Sequence, residues 1–65
     1  MTKFKKGDRV KVRLDNASPY RGRSGLVSEE PIQDSFGYWY IVKFESGGFS
    51  RVYRFLEGDL EGSFY

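Results

Sequence analysis

Apolar residues recur at every second position along most of this chain. In residues 8–14, Val10, Val12 and Leu14 alternate with Arg9, Lys11 and Arg13, which predicts a strand with one face on a core and one in water. Gly7 and Asp8 open it as a turn. Residues 15–23 are polar and hold the turn formers Asp15, Asn16, Ser18, Pro19 and Gly22, so they read as a loop whose one large apolar side chain is Tyr20. A second strand is predicted over residues 25–30, stopped by Pro31, which has no N–H for a sheet ladder. Residues 31–37 read as another loop. Tyr38-Trp39-Tyr40-Ile41-Val42-Lys43-Phe44 is the strongest strand signal, dense in aromatic and β-branched residues. Glu45-Ser46-Gly47-Gly48 reads as a hairpin turn, because consecutive glycines supply the positive φ angles of tight turns, and residues 49–54 return antiparallel. Leu56-Glu57-Gly58-Asp59-Leu60 is too short for an α-helix and suits one 3₁₀ turn, after which residues 60–62 add a closing strand and residues 62–65 a tail. Five short strands without a useful helix predict an all-β, mostly antiparallel five-stranded barrel, in which closure removes exposed edges.

The length narrows this further. With 65 residues the chain is expected to be a single domain over residues 1–65, its core spanning about 7–61 between short flexible ends. A domain of this size buries only about 60% of the surface of its unfolded chain. There is no cysteine and no histidine, which removes disulfide scaffolds, thiol chemistry, the usual zinc ligand sets and His-based acid-base catalysis. The longest apolar run, residues 38–42, is far short of the roughly 18–20 residues of a membrane span, and the basic start lacks the apolar segment of a signal peptide. A soluble, cytoplasmic and monomeric domain without cofactor or metal is the expectation.

The net charge of +2 conceals an asymmetry. Residues 1–27 carry eight cations against Asp8 and Asp15, and residues 28–65 carry seven acids against Lys43, Arg51 and Arg54. Such a split marks a nucleic-acid or acidic-protein surface when the halves stay apart in space. In a small barrel they interleave.

Aromatic residues are the most informative set, with six Phe, five Tyr and one Trp. Lys43 marks the wet face of its strand, so Tyr40, Val42 and Phe44 point inward while Trp39 and Ile41 are left outside. If the hairpin pairs Phe44 with Phe49, Ile41 lies across from Val52 and Trp39 from Arg54, forming an outer apolar patch with a cation-π pair. That register turns Arg51 inward beside Val42, which is costly without a carboxylate. A slip or bulge at Gly47-Gly48 buries Val52 instead. The alternative to an exposed patch is that residues 32–36 or the tail residues Phe64 and Tyr65 fold over Trp39 and Ile41.

The runs Gly7-Asp8-Arg9-Val10-Lys11-Val12, Pro19-Tyr20-Arg21-Gly22-Arg23-Ser24-Gly25-Leu26-Val27, Tyr40-Ile41-Val42-Lys43-Phe44 and Phe55-Leu56-Glu57-Gly58-Asp59-Leu60-Glu61 together resemble small SH3-like barrels across nearly the whole chain. Three groups share parts of the pattern: KOW-type nucleic-acid modules, the barrel of the nitrile hydratase β subunit, and electron-transport accessory barrels such as the peripheral photosystem I subunit and the variable chain of ferredoxin:thioredoxin reductase. The Pro19-Tyr20-Arg21-Gly22 step is most similar to the nitrile hydratase barrel and the segment from Phe55 to Glu61 to the accessory barrels. These motifs specify a fold far better than a task. Nitrile hydratase activity does not carry over, because its β subunit is much longer and works at a metal held by cysteines of its partner.

Two functions follow as expectations. The first is a non-catalytic accessory or adaptor module that docks on a larger protein through Trp39, Ile41, Arg54, Tyr20, Arg21 and Arg23, the direction implied by the accessory barrels. The second is a KOW-like RNA- or DNA-binding module using Lys5, Lys11, Arg13, Arg21 and Arg23 for phosphate contacts, with aromatic rings for stacking. Arg21-Gly22-Arg23-Ser24-Gly25 reads either as an anion-gripping loop or as a turn whose arginines face water. It lacks the Lys-Ser/Thr ending of a P-loop. The acids Glu29, Glu30, Glu57, Asp59 and Glu61 read as solvated surface charge, and no catalytic role is assigned to any residue.

Overall fold

A computed structural model describes residues 2–62 of the chain. Six strands form one antiparallel sheet: β1 Arg9–Val12, β2 Ser24–Val27, β3 Ile32–Asp34, β4 Gly37–Ser46, β5 Phe49–Leu56 and β6 Leu60–Gly62, with a 3₁₀ turn Glu57–Asp59 between the last two. The strand order is β3-β4-β2-β1-β6, and among the described residues β5 pairs with β4 alone. The sheet is therefore not closed, and the count of five strands is corrected to six.

The extra strand comes from the segment read as a loop. Ile32, Gln33 and Asp34 pair with Trp39, Tyr38 and Gly37, around a turn in which Asp34 Oδ1 accepts the Phe36 N–H at 2.8 Å and Gly37 adopts φ +125°. Turn formers at residues 34–37 conceal a hairpin too short to show an alternation. β2 and β3 share one edge of β4: Val27 lies opposite Val42, and the ladder resumes with Ile32 opposite Trp39. The break falls at Glu29, Glu30 and Pro31, where proline withholds its donor. β1 is also shorter than predicted. It ends at Val12, and Leu14, expected on the core face, is 72% exposed in the following turn.

The buried side chains converge on one cluster: Val10 and Val12 from β1, Val27 from β2, Tyr40, Val42 and Phe44 from β4, Phe55 from β5 and Leu60 from β6. These five strands bury the cluster between them, and β3 contributes no buried side chain. Phe4 joins the same core, its ring edge-on to Tyr40 with centroids 5.5 Å apart. The core thus begins earlier than residue 7. Phe4 was not readable as core because Lys3, Lys5 and Lys6 surround it with charge.

A polar clamp holds that N-terminal arm. The N–H groups of Lys3 and Phe4 donate to the Tyr40 hydroxyl at 3.1 and 3.2 Å, and the hydroxyl donates to Glu57 Oε2 at 2.6 Å. Glu57 also accepts the Lys3 N–H at 3.0 Å. The hydrogen bond from Tyr40, followed by that from the Lys3 amide, holds the Glu57 carboxyl below its ordinary value of 4.5. Burial, followed by the hydrogen bond to Glu57, raises the Tyr40 phenol. A carboxyl lowered by folding stabilises the folded state above its unfolded pKa, and that contribution is lost as pH falls through the folded value. Glu57→Gln is therefore expected to lower stability by about 1 kcal/mol at neutral pH, or about 4–8 °C in Tm for a domain of this size. Melting curves of both proteins from pH 7 down to pH 3 check this, because the gap must shrink on acidification. A gap that stays constant would show that the carboxylate charge plays no part.

Candidate functional site

β4 alternates as its sequence demands, with Tyr40, Val42 and Phe44 buried and Trp39, Ile41 and Lys43 on the other face. The hairpin register is two residues away from the one expected. Gly47 and Gly48, with φ +57° and +85°, form the whole loop, so Ser46 pairs with Phe49 and Phe44 with Arg51. A shift by two leaves every side chain on its own face. Arg51 lies across from Phe44 rather than beside Val42, close to the Gly47-Gly48 turn, and is exposed. Val52 lies across from Lys43 and is 60% exposed, so the slip that buries it is not adopted.

Cross-strand pairing arranges the outer face in three rows. Leu26, Lys43 and Val52 form the first, Ile41 and Arg54 the second, and Ile32, Trp39 and Leu56 the third. Six of these eight side chains are apolar, and Leu26 and Ile32 are 42% and 53% exposed. Trp39 is half-buried in the third row. Its indole N–H donates to Asp34 Oδ2 at 2.7 Å and the Arg54 guanidinium lies 5.5 Å from its ring centre. The expected cation-π pair is present, but it is reached diagonally, since Arg54 pairs with Ile41 and Trp39 with Leu56. Cover for Trp39 comes from β3. The alternative cover, Phe64 and Tyr65, lies outside the described residues.

Tyr20, Arg21 and Arg23 do not join this face. Local hydrogen bonds brace their loop: Ser18 N–H donates to Asn16 Oδ1 at 2.8 Å, Arg23 N–H to the Tyr20 carbonyl at 2.9 Å, and Gly22 N–H to the Val12 carbonyl at 2.8 Å. Gly22, named from the sequence as a turn former, adopts φ +77°. Gly25 has a different task, because it lies against β4 where there is no room for a side chain. The brace lays the Tyr20 ring flat on Phe44 at 4.6 Å and 5.3 Å from Tyr53. Tyr20, Arg23, Phe44, Phe49 and Arg51 line an open cleft of about 290 Å³. A second cleft, about 490 Å³, runs between residues 16–19 and Trp39, Tyr53 and Arg54. The predicted docking set thus splits into an outer sheet face and a groove beside β5.

The five nucleic-acid candidates are more dispersed. Lys5 belongs to the N-terminal arm, and Lys11 pairs across the sheet with Ser24 and Glu61. Arg13 bonds to Asp15 at 3.3 Å, and that hydrogen bond, with the Asp15 charge behind it, raises its pKa further. Arg21 and Arg23 lie in the braced loop. Among the described residues no group of three His, Cys, Asp or Glu side chains is placed to hold a metal ion, and no helix is long and apolar enough to cross a membrane.

Sequence reasoning missed Leu26, Ile32, Phe49 and Arg51 as surface features. The last two were within reach, because a two-residue Gly-Gly loop returns Phe49 and Arg51 to the side of Phe44. Compared with protein-family models, curated proteins and solved structures, the chain matches none.

Proposed function

We propose that this protein is a non-catalytic accessory module that docks on a larger protein through the outer face of β2, β3, β4 and β5. The observation carrying the reading is the row arrangement itself: Leu26, Ile32, Trp39, Ile41, Val52 and Leu56 lie together on a solvent-facing sheet surface with Lys43 and Arg54 among them. A contiguous apolar surface with interspersed cations suits a protein partner that offers apolar side chains ringed by carboxylates. Trp39 beside Arg54 supplies the kind of aromatic and arginine anchor that dominates small interfaces. The SH3-like relationship belongs to the same proposal, supported by the all-β composition and by the 3₁₀ turn before the last strand.

Leu26→Glu and Val52→Glu test the reading more cleanly than Trp39→Ala, since Trp39 also holds Asp34 and part of β3. Both side chains are 42% or more exposed, so each variant is expected to keep its melting temperature within a few degrees. A partner purified by affinity to the wild-type protein is expected to bind either variant at least about tenfold more weakly in a direct titration. Unchanged affinity in both variants would refute the outer face as the docking surface.

A further inference from the structure

β5 is eight residues long and, among the described residues, pairs only with β4. Alternate residues of an antiparallel strand turn their N–H and C=O groups to opposite edges. Half of the β5 backbone therefore points away from β4, and among the described residues no backbone hydrogen bond reaches that edge. Such an edge is a template for a further strand unless charge or cover protects it.

The surroundings of this edge select what can pair with it. Tyr20, Phe44 and Phe49 supply ring surface on one side, and Phe49 is 74% exposed. Arg21, Arg23, Arg51 and Arg54 lie in the loop facing β5 or on β5 itself, and among the described residues none forms an ion pair. The Arg23 and Arg51 guanidinium groups line the cleft beside the open edge and favour a chain carrying carboxylates, which arginine binds through its forked donors. A second copy of this chain is a poor match. Antiparallel self-pairing centred on Val52 sets Arg51 diagonally beside the other copy's Arg51, and centring on Tyr53 does the same for Arg54, so like charges meet within reach of their long side chains. Nucleic acid would satisfy the arginines but not the row of backbone donors and acceptors.

We infer that the free edge of β5 takes up an extended acidic segment of a partner protein as an added strand, with an apolar side chain of that segment seated on the Tyr20–Phe44 stack. Main-chain pairing supplies affinity in this mode and side-chain pockets supply selectivity. This site lies around the strand edge from the outer face and stands without it.

The probe is a fluorescein-labelled peptide of eight residues, matching β5, with central valine and phenylalanine flanked by glutamates. Fluorescence anisotropy with the full chain is expected to show saturable binding below about 1 mM. Arg51→Glu and Arg23→Glu, both at exposed positions, are each expected to weaken it about tenfold or more. N-methylation of alternate peptide amides should weaken it by a similar factor, about tenfold, by removing the ladder donors. Leu26→Glu, two strands away from this edge, should leave it within about twofold, which separates this site from the outer face. Absence of saturable binding, equal binding of the lysine counterpart, or indifference to Arg51→Glu or to N-methylation would each overturn the inference. So would tighter binding of a labelled single-stranded oligonucleotide that Arg51→Glu abolishes, or a concentration-dependent dimer that the peptide fails to dissociate.

Discussion

Phe44→Ala is expected to lower stability by about 3–5 kcal/mol. The Phe44 ring is 5% exposed, packs edge-on against Phe55 at 6.1 Å and carries Tyr20 stacked on its outer side at 4.6 Å. Truncation leaves a void that the β4–β5 ladder cannot close, and it also removes the floor of the cleft beside β5. A domain of this length has little stability in reserve, so the variant should be largely unfolded at 25 °C when followed by circular dichroism. Phe44→Leu, which keeps most of the volume, should recover a good part of the loss. A loss below about 1 kcal/mol for Phe44→Ala, outside the usual range for a buried aromatic, would mean that the inward face of β4 is not the core.

Gly25→Ala is expected to be nearly as damaging for the opposite reason. A methyl group there would meet the Lys43 carbonyl oxygen and Val42 Cγ1 at 2.7 Å and Phe44 Cδ1 at 3.0 Å. One of these is backbone, so relief requires β2 to move off β4. Overpacking of this kind costs about 1–3 kcal/mol and occasionally more, and contact with a strand backbone places Gly25 at the upper end. Gly58→Ala is the control, since nothing lies within 4 Å of its added methyl group. Urea denaturation of the two variants should separate them clearly. Equal midpoints would show that β2 does not approach β4 this closely.

Much of this fold was legible because period two survives wherever a strand has one wet face. Val10 and Val12, then Tyr40, Val42 and Phe44, declare their side through Lys11 and Lys43. The legibility ends where the strand is too short or the neighbours mislead. Ile32–Asp34 is three residues long and entirely exposed, so no alternation marks it, and Phe4 is masked by lysines on both sides. Closure of the sheet is a long-range property of which strand meets which, and no local pattern near Phe49–Leu56 tells which of its edges is paired. The Tyr20 loop shows the same limit: turn chemistry identifies the loop, while its placement over Phe44 depends on hydrogen bonds back to Val12.

The antiparallel pairing of β1 with β6, Val10 opposite Gly62 and Val12 opposite Leu60, sets how the molecule bears tension. The chain enters β1 and leaves β6 at the same end of the pair. A pull applied through the flanking segments loads that ladder as a zipper, one hydrogen bond at a time, rather than shearing all of its bonds together. The load first meets the arm, where the Lys3 and Phe4 N–H groups hold Tyr40 and Glu57. Once that grip is lost, the β1–β6 ladder opens next, from Gly62 towards Leu60, and takes a wall of the core with it.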